Sequence, residues 1–271
     1  MPAGLAGGLK VWRRRARRRD LAVWLGWLGG TVLVVYACRV IAANTTWVFV
    51  WDAPQQGADL VSRMVPPRWP YLGQLWRPLW DTINIATLGT LLAIVPAVPI
   101  AFLAARNTTP SVTLVRPLAL LLIVSSRSIN SLIWALLLVS IIGPGVVAGL
   151  IAIALRSVGF VAKLLYEAIE EIDASQVEAI TATGAGRGQV LSYGIVPQIM
   201  PAFAGISVFR WDINIRESTV LGLVGAGGIG LQLQASVNVL AWNQVAVIFV
   251  VIFATVLLGE WVSARIRHAM I

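Results

Sequence analysis

Six apolar runs, each long enough to cross a hydrocarbon layer, leave this chain few folds to choose from. The clearest is LAVWLGWLGGTVLVVYACRVIAA at residues 21–43; about 20 apolar residues in a helix cross a core of about 30 Å. Others follow at about 82–104, 117–141, 146–168, 191–210 and 242–264. In lipid every backbone N–H and C=O must be satisfied within the protein, which at these lengths means helices. The expected fold class is therefore all-α, a polytopic membrane helix bundle of about six transmembrane helices. Composition agrees, because 58% hydrophobic and only 12% charged residues, with mean hydropathy +0.81, exclude an ordinary soluble domain.

The charges are unevenly placed. Lys10, Arg13, Arg14, Arg15, Arg17, Arg18 and Arg19 account for much of the net charge of +9. On a soluble protein such a block suggests nucleic acid. Placed directly before a span it reads instead as a cytoplasmic flank, and no nucleic-acid partner is expected. The first apolar run is too long for the core of a cleavable signal peptide and carries no clear small-x-small cleavage site. Two regions are thus expected: a basic cytoplasmic segment at 1–20 and a transmembrane domain at 21–271.

Residues 44–78, with Trp47, Trp51, Trp69, Trp76 and Trp80 at interface-like positions, read as an outside loop. Pro96 and Pro99 kink the second span, and Gly143-Pro144-Gly145 forms a tight turn between the third and fourth. Six spans put both termini in the cytoplasm. Under that assignment thirteen Lys and Arg lie inside (Lys10, the six N-terminal arginines, Arg106, Arg116, Lys163, Arg187, Arg265, Arg267) and five outside (Arg63, Arg68, Arg77, Arg210, Arg216). The excess favours this orientation in the plasma (inner) membrane.

Between the fourth and fifth spans lies a long polar interruption, EAITATGAGRGQVLSYGIVPQIMP at 178–201. Ser175 and Glu178 have capping-box spacing, Gly184 and Gly186 tolerate positive φ and can close a helix, and Pro197 and Pro201 mark re-entry into apolar sequence. The expectation is a helix of about two turns held outside the membrane, on the cytoplasmic side.

The sequence of that segment, Glu178-Ala179, Gly184 six residues on and Pro197 thirteen further, resembles the EAA loop of permease subunits of ATP-binding cassette importers. It departs from the usual loop at Ile180, Gly194 and Val196. LAARN at 103–107, SRSIN at 126–130, YEAIEEID at 166–173 and NIRESTVLGLVGAGGIG at 214–230 extend the resemblance to permeases of phosphonate-type importers, over about residues 66–265. The resemblance implies a type I importer permease fold in which Ser175, Glu178, Ala179, Gly184 and Pro197 belong to a coupling helix. It also implies an ATP-binding subunit and an extracellular or periplasmic solute-binding protein as partners. Since such importers use two ATPase subunits and this chain carries one coupling loop, two permease chains are needed, and a homodimer is expected.

No catalytic chemistry is evident in the chain. Cys38 and His268 are the sole cysteine and histidine, so neither a disulfide within the chain nor a His/Cys metal site is expected. Gly225–Gly230 fits G-x-G-x-x-G, yet the sequence about 20 positions on is apolar, VAVIFVVIF, where a dinucleotide site needs an acid. The chain also has no G-x-x-x-x-G-K-[ST] phosphate loop. No cofactor is expected here, and ATP with Mg belongs on the partner ATPase. The glycines fit a broken, re-entrant segment between spans five and six.

Charges inside spans need a reason, because arginine at mid-membrane costs at least about 2.5 kcal/mol on insertion scales. Arg127, among Ser126, Ser128 and Asn130, and Arg156 each fall about ten residues into a span. Each either lines a central path or only pairs within the bundle. Arg210, Asp212, Arg216 and Glu217, placed at the outer end of span five, form either a salt-bridged gate or a ligand site. The pairs Gly26/Gly30 and Gly145/Gly149 have GxxxG spacing, which carries little weight in a chain with 24 glycines.

The leading expectation is the permease subunit of an ATP-driven importer for a small oxyanion, a phosphonate or related phosphorus compound. The alternative is a self-contained, ion-coupled secondary transporter of a small anion. That class favours an acid within the membrane, and the acids assigned here sit at span ends.

Overall fold

The computed structural model describes residues 2–6, 9–12 and 17–270, with side chains described from 19 to 268. Residues 1, 7, 8 and 13–16 of the expected basic segment at 1–20 therefore lie outside the described residues. The chain divides into two compact units, Met1–Asp59 and Leu60–Ile271.

In the first unit β1 (Pro2–Ala6) and β2 (Leu9–Trp12) pair antiparallel, with Leu5 opposite Lys10 and Ala6 opposite Leu9. All other regular structure among the described residues is helical. α1 (Arg17–Asn44) is the first apolar run, with Trp24, Trp27, Leu33 and Tyr36 on its surface. α2 (Trp47–Met64), which runs across the boundary between the two units, makes part of the expected outside loop helical. Its aromatic residues do not prevent helix formation, and the helix continues past Pro54.

The second unit is built around α6 (Val146–Glu170), which packs against α3 (Leu72–Ala104), α4 (Val115–Ser128), α5 (Ser131–Ile142) and α9 (Val196–Leu221). α3 starts about ten residues before the expected second span and retains Pro78, Pro96 and Pro99 within it. Lipid gives no hydrophobic drive for helices to associate, so packing depends on small residues that let backbones approach. Ala97, Ala101, Ala104, Ala119 and Ala162 fill the buried contact among α3, α4 and α6. At Gly159 a Cβ would lie 2.6 Å from the Ile123 carbonyl oxygen, so only glycine allows this approach of α4 to α6.

Two expected spans are corrected. The third is two helices, α4 and α5, meeting at 82°. The polar run at its centre breaks the helix: Ile129 is extended, and the Asn130 side chain accepts from Leu132 N at 3.1 Å to start α5. The fifth is longer than 191–210, with α9 continuing to Leu221, so Arg210 and Arg216 both lie inside one helix. After α9 a 3₁₀ turn (Gly222–Val224) and Gly225, Gly227 and Gly228, all at positive φ, turn the chain into α10 (Ile229–Asn238), the expected glycine-broken segment. A Cβ on Gly222 would sit 2.5 Å from Gly230 Cα, which explains the small residues at that crossing. α11 (Trp242–Met270) completes the chain. Among the described residues five helical stretches are long and apolar enough to cross a membrane, six with the bent pair as one span.

Candidate functional site

The first candidate is the short helix after α6. α7 (Ala174–Ala182) is capped by Asp173, whose Oδ1 accepts from Ser175 N at 2.9 Å and Ser175 Oγ at 2.7 Å. This replaces the expected Ser175–Glu178 capping box. An ionised carboxylate at the positive helix end outcompetes a hydroxyl for the free N–H groups, so Ser175 becomes a donor within the first turn. Those bonds, chiefly the one from the Ser175 hydroxyl, hold the Asp173 carboxyl below its ordinary pKa. Ser175, Glu178 and Ala179 are exposed on the helix.

Gly184 closes α7 at φ +82°. Gly186, at φ −70°, needs no glycine conformation and instead starts the three-residue α8 (Arg187–Gln189), its N–H donating to Gln189 Oε1 at 2.9 Å. A π-helical turn (Val190–Ile195) then leads into α9, with Pro197 in the first turn, where its missing N–H costs nothing. Two departures from the family loop meet here: Ile180 Cδ1 lies 3.4 Å from where a Cβ on Gly194 would be. The larger side chain on α7 thus faces the absent one on the turn.

Gln198, in α9, joins the two segments. Its Oε1 accepts from Asp173 N at 3.0 Å, and its Nε2 donates to Asp173 O at 3.4 Å and Gly194 O at 2.6 Å. At the same end of the bundle Glu170 accepts from Arg106 N at 2.9 Å and pairs with Arg116 at 3.4 Å, fastening α6 to the ends of α3 and α4.

The second candidate lies within α9. Arg210, Asn214 and Glu217 recur at i, i+4 and i+7, which puts them on one helix face, turned toward α6 and α3. Arg210 is 2% exposed, yet it is not isolated. Its Nε donates to Ser157 Oγ at 2.9 Å, Nη2 reaches Glu217 Oε2 at 3.4 Å, and the guanidinium lies 5.0 Å from the Phe160 ring centroid. Asn214 donates to Thr90 Oγ1 at 2.7 Å and Ser157 Oγ at 3.2 Å. Arg156 binds the other Glu217 oxygen at 2.7 Å and Ser131 Oγ at 3.4 Å. Arg216 pairs with Asp212 one turn back on α9.

Asn130, Ser131, Arg156, Arg216 and Glu217, with Val220, line a cleft of about 550 Å³. Arg127 does not join them. It ends α4 at the 82° break and is exposed away from the cleft lining, so it is not at the centre of a continuous span. Ser126 is committed to packing, donating to Leu155 O at 2.5 Å and accepting from Gly159 N at 2.9 Å, while Ser128 bonds back to Val124 O at 2.7 Å. Asp212 and Glu217 are within α9, not at a span end as expected. Sequence reading missed Ser131, Ser157, Thr90, Phe160 and Gln198; only Ser157, directly after an intramembrane arginine, carried a signal.

A family described as "Binding-protein-dependent transport system inner membrane component" matches residues 97–268. The chain is 41% identical to the phosphite transport system permease protein PtxC of Stutzerimonas stutzeri, over 96% of this chain and 90% of that protein. It is 37% identical to the phosphate-import permease protein PhnE of Mycolicibacterium smegmatis over 86% of this chain, which spans 44% of that longer protein. The methionine ABC transporter MetNI, solved in inward-facing conformations, superimposes with a TM-score of 0.64 at 21% identity, covering 74% of this chain and 98% of the matched one, which speaks to fold alone. The family match across most of α3 to α11, and a relative this similar along nearly the whole chain, make this multi-pass membrane protein a member of the inner-membrane components of binding-protein-dependent transport systems, the permease subunits of ATP-binding cassette importers.

Proposed function

We propose that the chain is the membrane subunit of an ATP-driven importer for a small phosphorus oxyanion such as phosphite, phosphate or a phosphonate. The observation that carries this reading is the 41% identity, along almost the whole chain, to a permease named for phosphite transport. A cationic intramembrane cleft is the chemistry such a cargo would need.

On this reading a solute-binding protein delivers the anion from outside, and a separate ATPase subunit, holding ATP and Mg, docks on α7. Ser175, Glu178, Ala179, Gly184 and Pro197 belong to that docking segment, and its exposed surface fits the role. Both termini are cytoplasmic, which puts α7 on the ATPase side, and two copies of the chain form the channel. Arg156, Arg210, Asp212, Arg216, Glu217 and Asn130 belong to the path or its gate. Arg127, Ser126 and Ser128 support the broken span beside it.

An ion-coupled carrier would need an intramembrane acid that is free to change its proton or cation. Asp212 and Glu217 are placed for that, but each is held by arginine, which favours a structural or gating role. The test is reconstitution of the permease with an ATPase subunit and a binding protein in proteoliposomes. ATP-dependent uptake of a phosphorus oxyanion is the expected result; uptake driven by an ion gradient without an ATPase would overturn the reading.

A further inference from the structure

We infer that the cleft beside α5 binds one small tetrahedral oxyanion and that Glu217 is its resident counter-ion, giving up Arg156 when the anion enters. This rests on the chain being an oxyanion importer and adds the site and the means of release.

The charge inventory comes first. Three guanidiniums, Arg156, Arg210 and Arg216, face two carboxylates, Asp212 and Glu217, which leaves one positive charge unmatched in the cluster. The three arginines are not equivalent. Arg210 is 2% exposed and is held by Ser157, Glu217 and Phe160, so it cannot reach an entering ligand without dismantling the packing. Arg156 and Arg216, with side chains 32% and 45% exposed, both line the cleft. Two accessible cations on one cleft, beside the start of α5, suit an anion with several acceptor oxygens.

Glu217 makes this arrangement reversible. One of its oxygens holds Arg156 at 2.7 Å and the other faces Arg210 at 3.4 Å. An anion that takes Arg156 leaves Glu217 with Arg210, so neither carboxylate nor guanidinium is stranded. When the anion leaves, Glu217 closes back on Arg156. The retained like charge also repels the bound anion. Conduction needs a site attractive enough to admit an ion and weak enough to release it, and a carboxylate shared between two arginines meets both requirements.

The experiment uses the assembled transporter in nanodiscs for equilibrium binding of isotope-labelled inorganic phosphite and phosphate, and in proteoliposomes with its binding protein for uptake. Glu217→Gln keeps the size and one acceptor but removes the competing charge. It should tighten anion binding by on the order of tenfold or more and slow uptake. The double variant Arg156→Gln with Glu217→Gln preserves the net charge of the cluster and should lose binding. Assembled Glu217→Gln that binds no tighter, or a double variant that binds as well as the unaltered protein, would overturn the proposal. If Glu217→Gln does not assemble, the double variant alone decides. Failure of the importer reading looks different, since the unaltered transporter would then take up no phosphorus oxyanion at all.

Discussion

Gln198→Leu isolates the connection between α7, the proposed docking helix, and the helix that carries the ion-pair cluster. The Gln198 amide brackets the Asp173 peptide, accepting from its N–H at 3.0 Å and donating to its carbonyl at 3.4 Å, while a third bond to Gly194 O at 2.6 Å stays within its own segment. Leucine fills much the same volume with none of these bonds. The two bonds between segments are each worth about 0.5–1.5 kcal/mol net, so about 1–3 kcal/mol of the α7–α9 connection disappears. Expressed as a coupling free energy, that is roughly 5–150-fold. The bundle core does not include this side chain, so the protein should insert and assemble normally. The measurement is solute taken up per ATP hydrolysed in proteoliposomes. We expect that ratio to fall about tenfold while binding-protein-stimulated hydrolysis continues. Gln198→Glu, which still accepts from Asp173 N but cannot donate, should be impaired as well. Normal coupling in Gln198→Leu would show that motion passes from α7 to α9 through other contacts and would refute this assignment.

Gly184→Val places a β-branched residue at φ +82°, which strains the end of α7 by about 1–2 kcal/mol; ATPase co-purification should weaken while membrane insertion, followed by protease protection, is unchanged. Because the Asp173 carboxyl has its pKa lowered in the folded chain, its cap contributes stability above the ordinary carboxylate pKa and loses it as pH falls through the folded value. ATPase binding to α7 should therefore show no titration from Asp173 at neutral pH and should weaken only in acid, whereas Asp173→Asn should remove that acid limb. Arg210→Ala strips Glu217 and Ser157 of a buried partner and should destabilise the bundle by about 3–5 kcal/mol, read as a lower unfolding temperature in detergent.

The run lengths alone determined that this chain is a helical membrane bundle, because the cost of an unsatisfied backbone in lipid is local and depends on little but length and polarity. The place of α7 was equally legible, since a polar segment with a glycine able to adopt positive φ and a following proline is written in consecutive residues. So was the glycine-broken passage from α9 to α10, where Gly225, Gly227 and Gly228 adopt positive φ. Competition and register were not legible. Asp173 and Ser175 are both capping residues two positions apart, and the charge of the acid settled which one took the helix end. Arg127 and Arg156 look alike in sequence, each about ten residues into an apolar run. A bend of 82° at Asn130 leaves one outside the cleft lining, and the packing of α6 against α9 brings the other to Glu217. The spacing of Arg210, Asn214 and Glu217 defines a face in any helix. Which helix that face meets, and that Ser157, Thr90 and Phe160 are waiting there, depends on contacts fifty or more residues apart in the chain, and only the tertiary structure decides those.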